Sequence, residues 1–383
     1  MKVVLSGFYG FGNTGDEAIL EAILTNLKTR WPEMEITVFS FSPEMTSKAH
    51  NVRSLYRGWR QDTWQKLRAL RSADLLISGG GGLLQDTYAT GIISGPLPYY
   101  LLITYLAKRC GTPVMFFSQG IGPITSKYGK WLTKRVANKV DLITVRDAAS
   151  AEALATLGVH KPPTFVTADI VFAFQERPAS AKAQKIIDTL PQATLAVSVR
   201  PWFTSNTYIQ RQFATILDAL IEEKGCHPLF ISMEGRHDYE ASQAVIRAMQ
   251  HPEACLLLEP DYTPNDYIQF IKACQLTLGM RLHSLIFSTL AEVPCIGFSY
   301  DPKVESFLKL IDMWEQSVAI EEIDTEKVIQ NSLSILDEHN PYKIKMSEAK
   351  RTLKNKAEEN LELLNDYFLK RSLSYEDIVH DHI

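Results

Sequence analysis

The chain predicts an α/β protein made of two doubly wound Rossmann-like domains, and three observations carry that expectation. Its 383 residues, 45% of them hydrophobic, exceed what one core usually holds. Short apolar runs of strand length alternate with longer runs whose apolar residues recur at helical spacing, first from residue 2 to about 174 and again from 193 onward. Between the two series, residues 176–192 are polar and lack apolar periodicity, which reads as a linker. The expected domains are therefore 1–175 and 193–345, followed by a charged helical tail, 346–383, able to pack back on the first domain.

Taken in order, Lys2–Gly7 is a strand, and Asp16–Arg30 carries Ile19, Leu20, Ile23, Leu24 and Leu27 on one helical face. Glu35–Ser40 and Asp74–Ser78 are strands, the latter followed by four glycines, Gly79–Gly82. Helices at Pro98–Arg109, Tyr128–Lys139 and Ala148–Leu157 alternate with strands at Pro113–Ser118 and Val140–Val145, and Gly158 is a helix stop. In the second half, strands at Ala193–Val199, Pro228–Met233, Cys255–Glu259, Gln275–Met280 and Pro294–Phe298 interleave with helices at Tyr208–Glu223, Tyr239–Met249, Pro264–Cys274 and Ser284–Glu292.

Composition excludes several function classes. A formal net charge of −4 with no Lys/Arg-rich run gives no field for nucleic acid, and no zinc spacing or other metal-ligand cluster is visible. The five cysteines are scattered and odd in number, which points to reduced packing thiols in a cytoplasmic protein. The N-terminus opens directly on a strand without a signal-peptide pattern. The most membrane-like stretch, 91–107, is short and broken by Pro96 and Pro98, so it reads as a buried helix, with peripheral membrane contact left open.

The polar and glycine residues cluster where apolar strands end, and open parallel sheets bind ligands outside those carboxyl ends. Gly7–Asp16 follows the first strand, Gly79–Asp86 the third, Gln119–Pro123 and Arg146–Asp147 later ones. In the second half the corresponding positions are Arg200 and Trp202, Glu234, Arg281–His283 and Tyr300–Lys303. In the extended turn Gly279–Ser284, Arg281 and His283 project to one side, a fixed cation and a titratable ring beside a helix N-terminus. An Arg paired with an acid and a His capping a helix is the competing reading. The loop glycines do not fit G-x-G-x-x-G spacing, so a nicotinamide site is not expected. Four consecutive glycines are entropically costly, and close approach of a ligand is one reason to keep them. Asp16 opens a helix and could serve only as its cap.

Phe11–Glu17, Gly79–Gly82, Gln119–Pro123, Ser198–Trp202, Gly279–Ser284 and Ser299–Val304 together resemble the polysaccharide pyruvyl transferases, in particular the CsaB type. The resemblance runs from Lys2 to about Leu310. It implies a GT-B-like fold, with two Rossmann-like domains facing across a central cleft. It also implies a reaction in which phosphoenolpyruvate, a co-substrate with no further cofactor, gives its three-carbon unit to two sugar hydroxyls as a cyclic ketal. In the CsaB type the acceptor is an N-acetylmannosamine unit of a lipid-diphosphate-linked precursor of the secondary cell-wall polymer that anchors S-layers. Residues resembling the donor site are Arg146, Arg200, Arg281, His283 and Lys303. Phosphoenolpyruvate carries a phosphate and a carboxylate, and Arg forks plus a Lys point charge match that pair.

His283 is the expected acid and base, with Arg281 stabilising charge, and Asp16 is expected to deprotonate or orient the acceptor. Asn13, Asp16, Gln85, Asp86 and Gln119 form the expected acceptor side, in the first domain, with Ile92, Ile93, Leu97, Tyr99 and Tyr100 either near a lipid or at the start of a buried helix. Two rival functions share these features: a nucleotide-sugar glycosyltransferase of the same fold, and a non-catalytic sugar- or anion-binding protein.

Overall fold

A computed structural model describes residues 1–58, 61–86, 95–201, 207–337 and 341–380. Trp202, Ile92 and Ile93 lie outside the described residues. The chain divides into two compact units, one of Met1–Phe11, Ile19–Gln175 and Leu353–Ile383, the other of Gly12–Ala18 and Glu176–Thr352.

In the first unit the described elements are β1 (Lys2–Ser6), α1 (Thr14–Arg30), β2 (Glu35–Ser40), α2 (Pro43–His50), β3 (Arg53–Tyr56), α3 (Thr63–Ser72) and β4 (Leu75–Leu84). They continue with α4 (Pro96–Arg109), β5 (Val114–Ile121), α5 (Lys127–Ala137), β6 (Leu142–Val145), α6 (Ala148–Thr156) and β7 (Thr164–Val166). All seven strands pair in parallel in the order β3-β2-β1-β4-β5-β6-β7. The first turn of α1, Thr14–Ala18, counts with the second unit.

The second unit continues with α7 (Ala181–Ile187), β8 (Thr194–Ser198), α8 (Thr207–Lys224), β9 (His227–Phe230), α9 (Gly235–Ile246), β10 (Leu256–Leu257), α10 (Pro264–Lys272) and β11 (Leu276–Gly279). Then come α11 (Leu282–Leu290), β12 (Cys295–Ser299), α12 (Pro302–Leu310), β13 (Ser317–Ala319) and α13 (Thr325–Leu336), and α14 spans Tyr342–His380. Its parallel sheet runs β10-β9-β8-β11-β12-β13. Each sheet has its own apolar core: Val4, Leu76, Phe116 and Ile143 stand in the first, Leu195, Phe230, Leu278 and Ile296 in the second. No helix among the described residues is long and apolar enough to cross a membrane.

Local chemistry explains the boundaries. Ser126 caps α5 by accepting from the Gly129 N–H, and Asp147 caps α6 by accepting from Ser150. Thr263 and Asp266 form a capping box on α10. Two expectations need correction. Residues 176–192 are not a bare linker: they contain α7, and Asn265 and Asp266 of α10 accept from the Arg177 and Ser180 N–H groups at 2.9 and 2.8 Å. The Gly79–Gly82 run does not follow a strand but lies inside β4, whose register against β5 shifts between Gly81 and Leu84. A Cβ on Gly79 would lie 2.3 Å from the Phe117 carbonyl oxygen, and one on Gly80, at φ +75°, would lie 1.9 Å from Ile19 Cγ2. Internal packing against β5 and α1 therefore accounts for these two glycines.

Candidate functional site

In the second unit the chain leaves β8 toward β9 and β10, then returns to place β11, β12 and β13 on the other side of β8. The switch point between β8 and β11 is where such sheets take ligands. The Met280 N–H donates to the Ser198 carbonyl at 2.8 Å, holding the ends of these two strands together. Arg200 follows β8, Arg281 and His283 follow β11, and Tyr300, Asp301 and Lys303 follow β12.

The three cations are not equivalent. Arg281 is a half-buried fork: Nε donates to Asp238 Oδ2 at 3.0 Å and Nη2 to Asp238 Oδ1 at 2.6 Å, while Glu234 Oε2 stands 2.5 Å from Nη2. Asp238 is completely buried on α9 and also accepts from the Glu234 N–H at 2.9 Å. Burial is the largest single influence on the Arg281 pKa and acts to lower it, but the Asp238 and Glu234 carboxylates together outweigh it and the net shift is upward, so the guanidinium stays charged. Burial pushes the Asp238 carboxyl up, against the pull of Arg281. The expectation that Arg281 offers its bidentate face to an anion is thus corrected: that face is taken by Asp238, and among the described residues only Nη1 makes no hydrogen bond.

Arg200 is the opposite case. Its guanidinium lies 4.4 Å from the Tyr300 ring centroid, and among the described residues it has no carboxylate partner and its buried Nε has no hydrogen bond. Lys303 stands 5.7 Å from the same ring with its Nζ 3.1 Å from Asp301 Oδ2. Asp301 also caps α12 through the Lys303 N–H. Two cations thus share one aromatic ring at the mouth of the sheet.

His283 is half-buried in the first turn of α11, and its ring is backed by a segment from the far end of the sequence. The Thr14 N–H donates to the Met233 carbonyl at 2.8 Å, and Asn13 forms an antiparallel bridge with Glu234. Gly15 is thereby laid against His283: a Cβ there would lie 2.1 Å from Nδ1. Asn13 Oδ1 accepts from the Gly15 and Asp16 N–H groups at 3.0 and 3.2 Å, so Asn13, not Asp16, caps α1. Asn13 and Asp16 therefore belong to the unit that carries the cations, which corrects their assignment to the first domain.

The other expected site residues lie in the first unit. Gln119 is fully buried and its amide donates to the Gly81 and Gly120 carbonyls at 2.8 and 3.1 Å, so it binds strand ends together and presents no surface to an acceptor. Asp86 accepts from the N–H and hydroxyl groups of Thr125 and Ser126, which commits it to holding the start of α5. Gln85 is half-buried with its side chain over Gly122, where a Cβ would meet it at 2.6 Å. Arg146 packs on Gly120 and pairs with Asp147 and Asp169 at 3.4 and 3.5 Å. It is in the first unit, whereas Arg200, Arg281, His283 and Lys303 are in the second.

One cation was missed from sequence. Arg57, just past β3, lies 4.9, 4.1 and 5.2 Å from the ring centroids of Phe11, Tyr99 and Tyr100. Among the described residues it has no carboxylate partner, and its Nε has no hydrogen bond. Phe8, Phe11 and Phe41 continue the aromatic wall in stacked pairs. Lys66 Nζ donates to the carbonyls of Tyr56, Arg57, Gly58 and Gln61, fixing the turn that carries Arg57. The signal in the sequence was a strand end, but β3 itself is too short and too polar to be read from periodicity.

Residues 13–302 match the sequence family described as polysaccharide pyruvyl transferase. The amylovoran biosynthesis protein AmsJ of Erwinia amylovora is 21% identical over 415 residues, covering 93% of this chain and 98% of its own. Among solved structures, the S. aureus MnaA–UDP complex has a TM-score of 0.64 at 14% identity, covering 97% of both chains. The UDP-GlcNAc 2-epimerase of Methanocaldococcus jannaschii has a TM-score of 0.65 at 12% identity, covering 95% of this chain and 99% of its own. At these identities the likeness is one of fold, the doubly wound two-unit architecture of GT-B-like enzymes.

Proposed function

Because the chain belongs to the polysaccharide pyruvyl transferase family, we propose that it transfers the pyruvyl unit of phosphoenolpyruvate to two hydroxyls of a sugar as a cyclic ketal. The observation that carries this reading is Arg200: a guanidinium without a carboxylate partner among the described residues, over Tyr300 beside Lys303 at the switch point of the second sheet. A small dianionic head with an adjacent carboxylate suits that pair, with Arg281 Nη1 as a third donor.

In the proposed reaction the donor's methylene carbon takes a proton and becomes a methyl group. The central carbon gains two C–O bonds to the sugar and loses its bond to phosphate. One hydroxyl proton is accounted for by the new methyl, the other leaves with phosphate. His283, held in place by Gly15, is the group assigned to carry the proton, and Arg200 and Lys303 stabilise the charge that develops on the leaving phosphate. Asp16, in the same unit, is assigned to the acceptor hydroxyls. A lipid-diphosphate-linked N-acetylmannosamine unit, as in the CsaB type, is the proposed acceptor, used at the inner face of the cell membrane. Arg57 and its aromatic wall suit a diphosphate joined to an apolar chain.

A nucleotide-sugar reaction is the second reading, favoured by the UDP-related proteins that share the fold. Calorimetry separates the two. Phosphoenolpyruvate is expected to bind wild-type protein and to lose binding in Arg200→Ala. Binding of UDP-GlcNAc with none of phosphoenolpyruvate transfers the assignment to the second reading.

A further inference from the structure

The second unit holds a cavity of about 790 Å³, within the size range of small-ligand sites, that shares Tyr300 and Asp301 with the cation pair but whose remaining lining the reaction above does not use. It opens between the end of β12, the turn before β13 and α13, and the aromatic side chains of Tyr300, Trp314 and Tyr342 line it. Trp314 is 55% exposed, a large apolar face left in water at the rim. Gln316 is the counterpart inside. Only 3% exposed, it donates through Nε2 to the Tyr342 hydroxyl at 3.1 Å, while its Oε1 is buried without a partner among the described residues. Desolvation of that oxygen stays uncompensated until a donor reaches it.

The charges decide what kind of donor. Asp301, Glu305, Glu315 and Glu321 line the cavity against a single lysine, Lys327. Asp301 is paired with Lys303 and Glu305 with Lys309, so the lining acids that carry no ion pair among the described residues are Glu315 and Glu321. The lining is thus acceptor-rich and offers little to an anion. Aromatic faces beside carboxylate and amide acceptors match a ring with one apolar face and several hydroxyls around its edge.

We propose that this cavity is a subsite for an uncharged sugar, a hexose or N-acetylhexosamine, which lies on Trp314 and donates a hydroxyl or amide hydrogen to Gln316. The proposal does not depend on the identity of the donor. Tyr300 and Asp301 nevertheless connect the cavity to the Arg200–Lys303 cation pair, so a sugar held here sits next to the anion site of the same unit.

The test is saturation-transfer NMR on the full chain with N-acetylglucosamine, glucose, glucuronate and uridine, without any donor. Transfer to the two neutral sugars is expected, weakened about tenfold or more in Trp314→Ala, as for loss of an aromatic anchor. Trp314 is exposed enough for that variant to fold, which circular dichroism checks. Gln316→Leu supplies a second weakened variant. Absence of transfer to either neutral sugar overturns the proposal. So does transfer unchanged in Trp314→Ala, or transfer to uridine or glucuronate alone. Because no donor is present, these outcomes are separate from failure of pyruvyl transfer.

Discussion

Replacing Gly15 by alanine tests the placement of His283 with one methyl group. The new Cβ would lie 2.1 Å from Nδ1 and 2.2 Å from Cγ of the ring, so the imidazole must retreat by about 1.5 Å to reach ordinary contact distance. The rest of the site has no reason to change. Gly15 is in the first turn of α1 and does not occupy the left-handed region, and alanine in a helix gains up to about 1 kcal/mol over glycine. A displacement of about 1 Å in a positioned catalytic group costs on the order of 10²-fold in rate. The expected result is therefore a kcat lowered about 10²-fold with Tm unchanged or raised, measured by phosphate release at saturating phosphoenolpyruvate. The double variant Gly15→Ala/His283→Ala should be no slower than His283→Ala alone, because both act through one ring. Wild-type kcat in folded Gly15→Ala, or additive losses in the double variant, refutes the reasoning.

Further outcomes follow from the same geometry. His283→Ala is expected to bind phosphoenolpyruvate normally by calorimetry but to turn over about 10²-fold more slowly; lost binding with normal turnover at saturation contradicts this. Arg200→Lys should raise KM for phosphoenolpyruvate although charge is kept, because an ammonium cannot present a planar, bidentate fork from its place over Tyr300. Arg281→Ala leaves Asp238 buried and unpaired and should destabilise the protein by about 3–5 kcal/mol in chemical denaturation, whereas Arg281→Ala/Asp238→Leu recovers part of that loss; a single variant of wild-type stability removes the ion pair from the account. Burial pushes the Cys226 thiol to about 11 and the Cys295 thiol to about 12, so both should resist a thiol reagent near neutral pH until the protein unfolds. Five fast-reacting thiols in the native protein would contradict that.

Periodicity was enough to reveal the alternation of strands and helices, and the strand-to-helix turn at Arg281–His283 stands where the apolar pattern put it. Three features were beyond its reach for physical reasons. Asp238 is 43 residues from Arg281 and looks like any acid in the first turn of a helix; only the fold buries it under the guanidinium. The glycines of β4 read as a ligand loop because the bulk that excludes side chains, Phe117 and Ile19, comes from other elements. Gly12–Ala18 follows the first strand of one sheet yet joins the other unit, since its pairing with Met233 and Glu234 is made through backbone groups that carry no sequence signature. Arg57 escaped for a similar reason: its partners are aromatic faces, not a motif.

The central claim is the donor, and the most direct measurement is phosphate release from phosphoenolpyruvate in the presence and absence of a lipid-diphosphate-linked disaccharide ending in N-acetylmannosamine, with mass analysis of the glycan. The account predicts acceptor-dependent phosphate release, one phosphate per ketal formed, a glycan heavier by one pyruvyl ketal, and loss of both signals in His283→Ala. Turnover of UDP-GlcNAc by the same preparation, with phosphoenolpyruvate untouched, would contradict it.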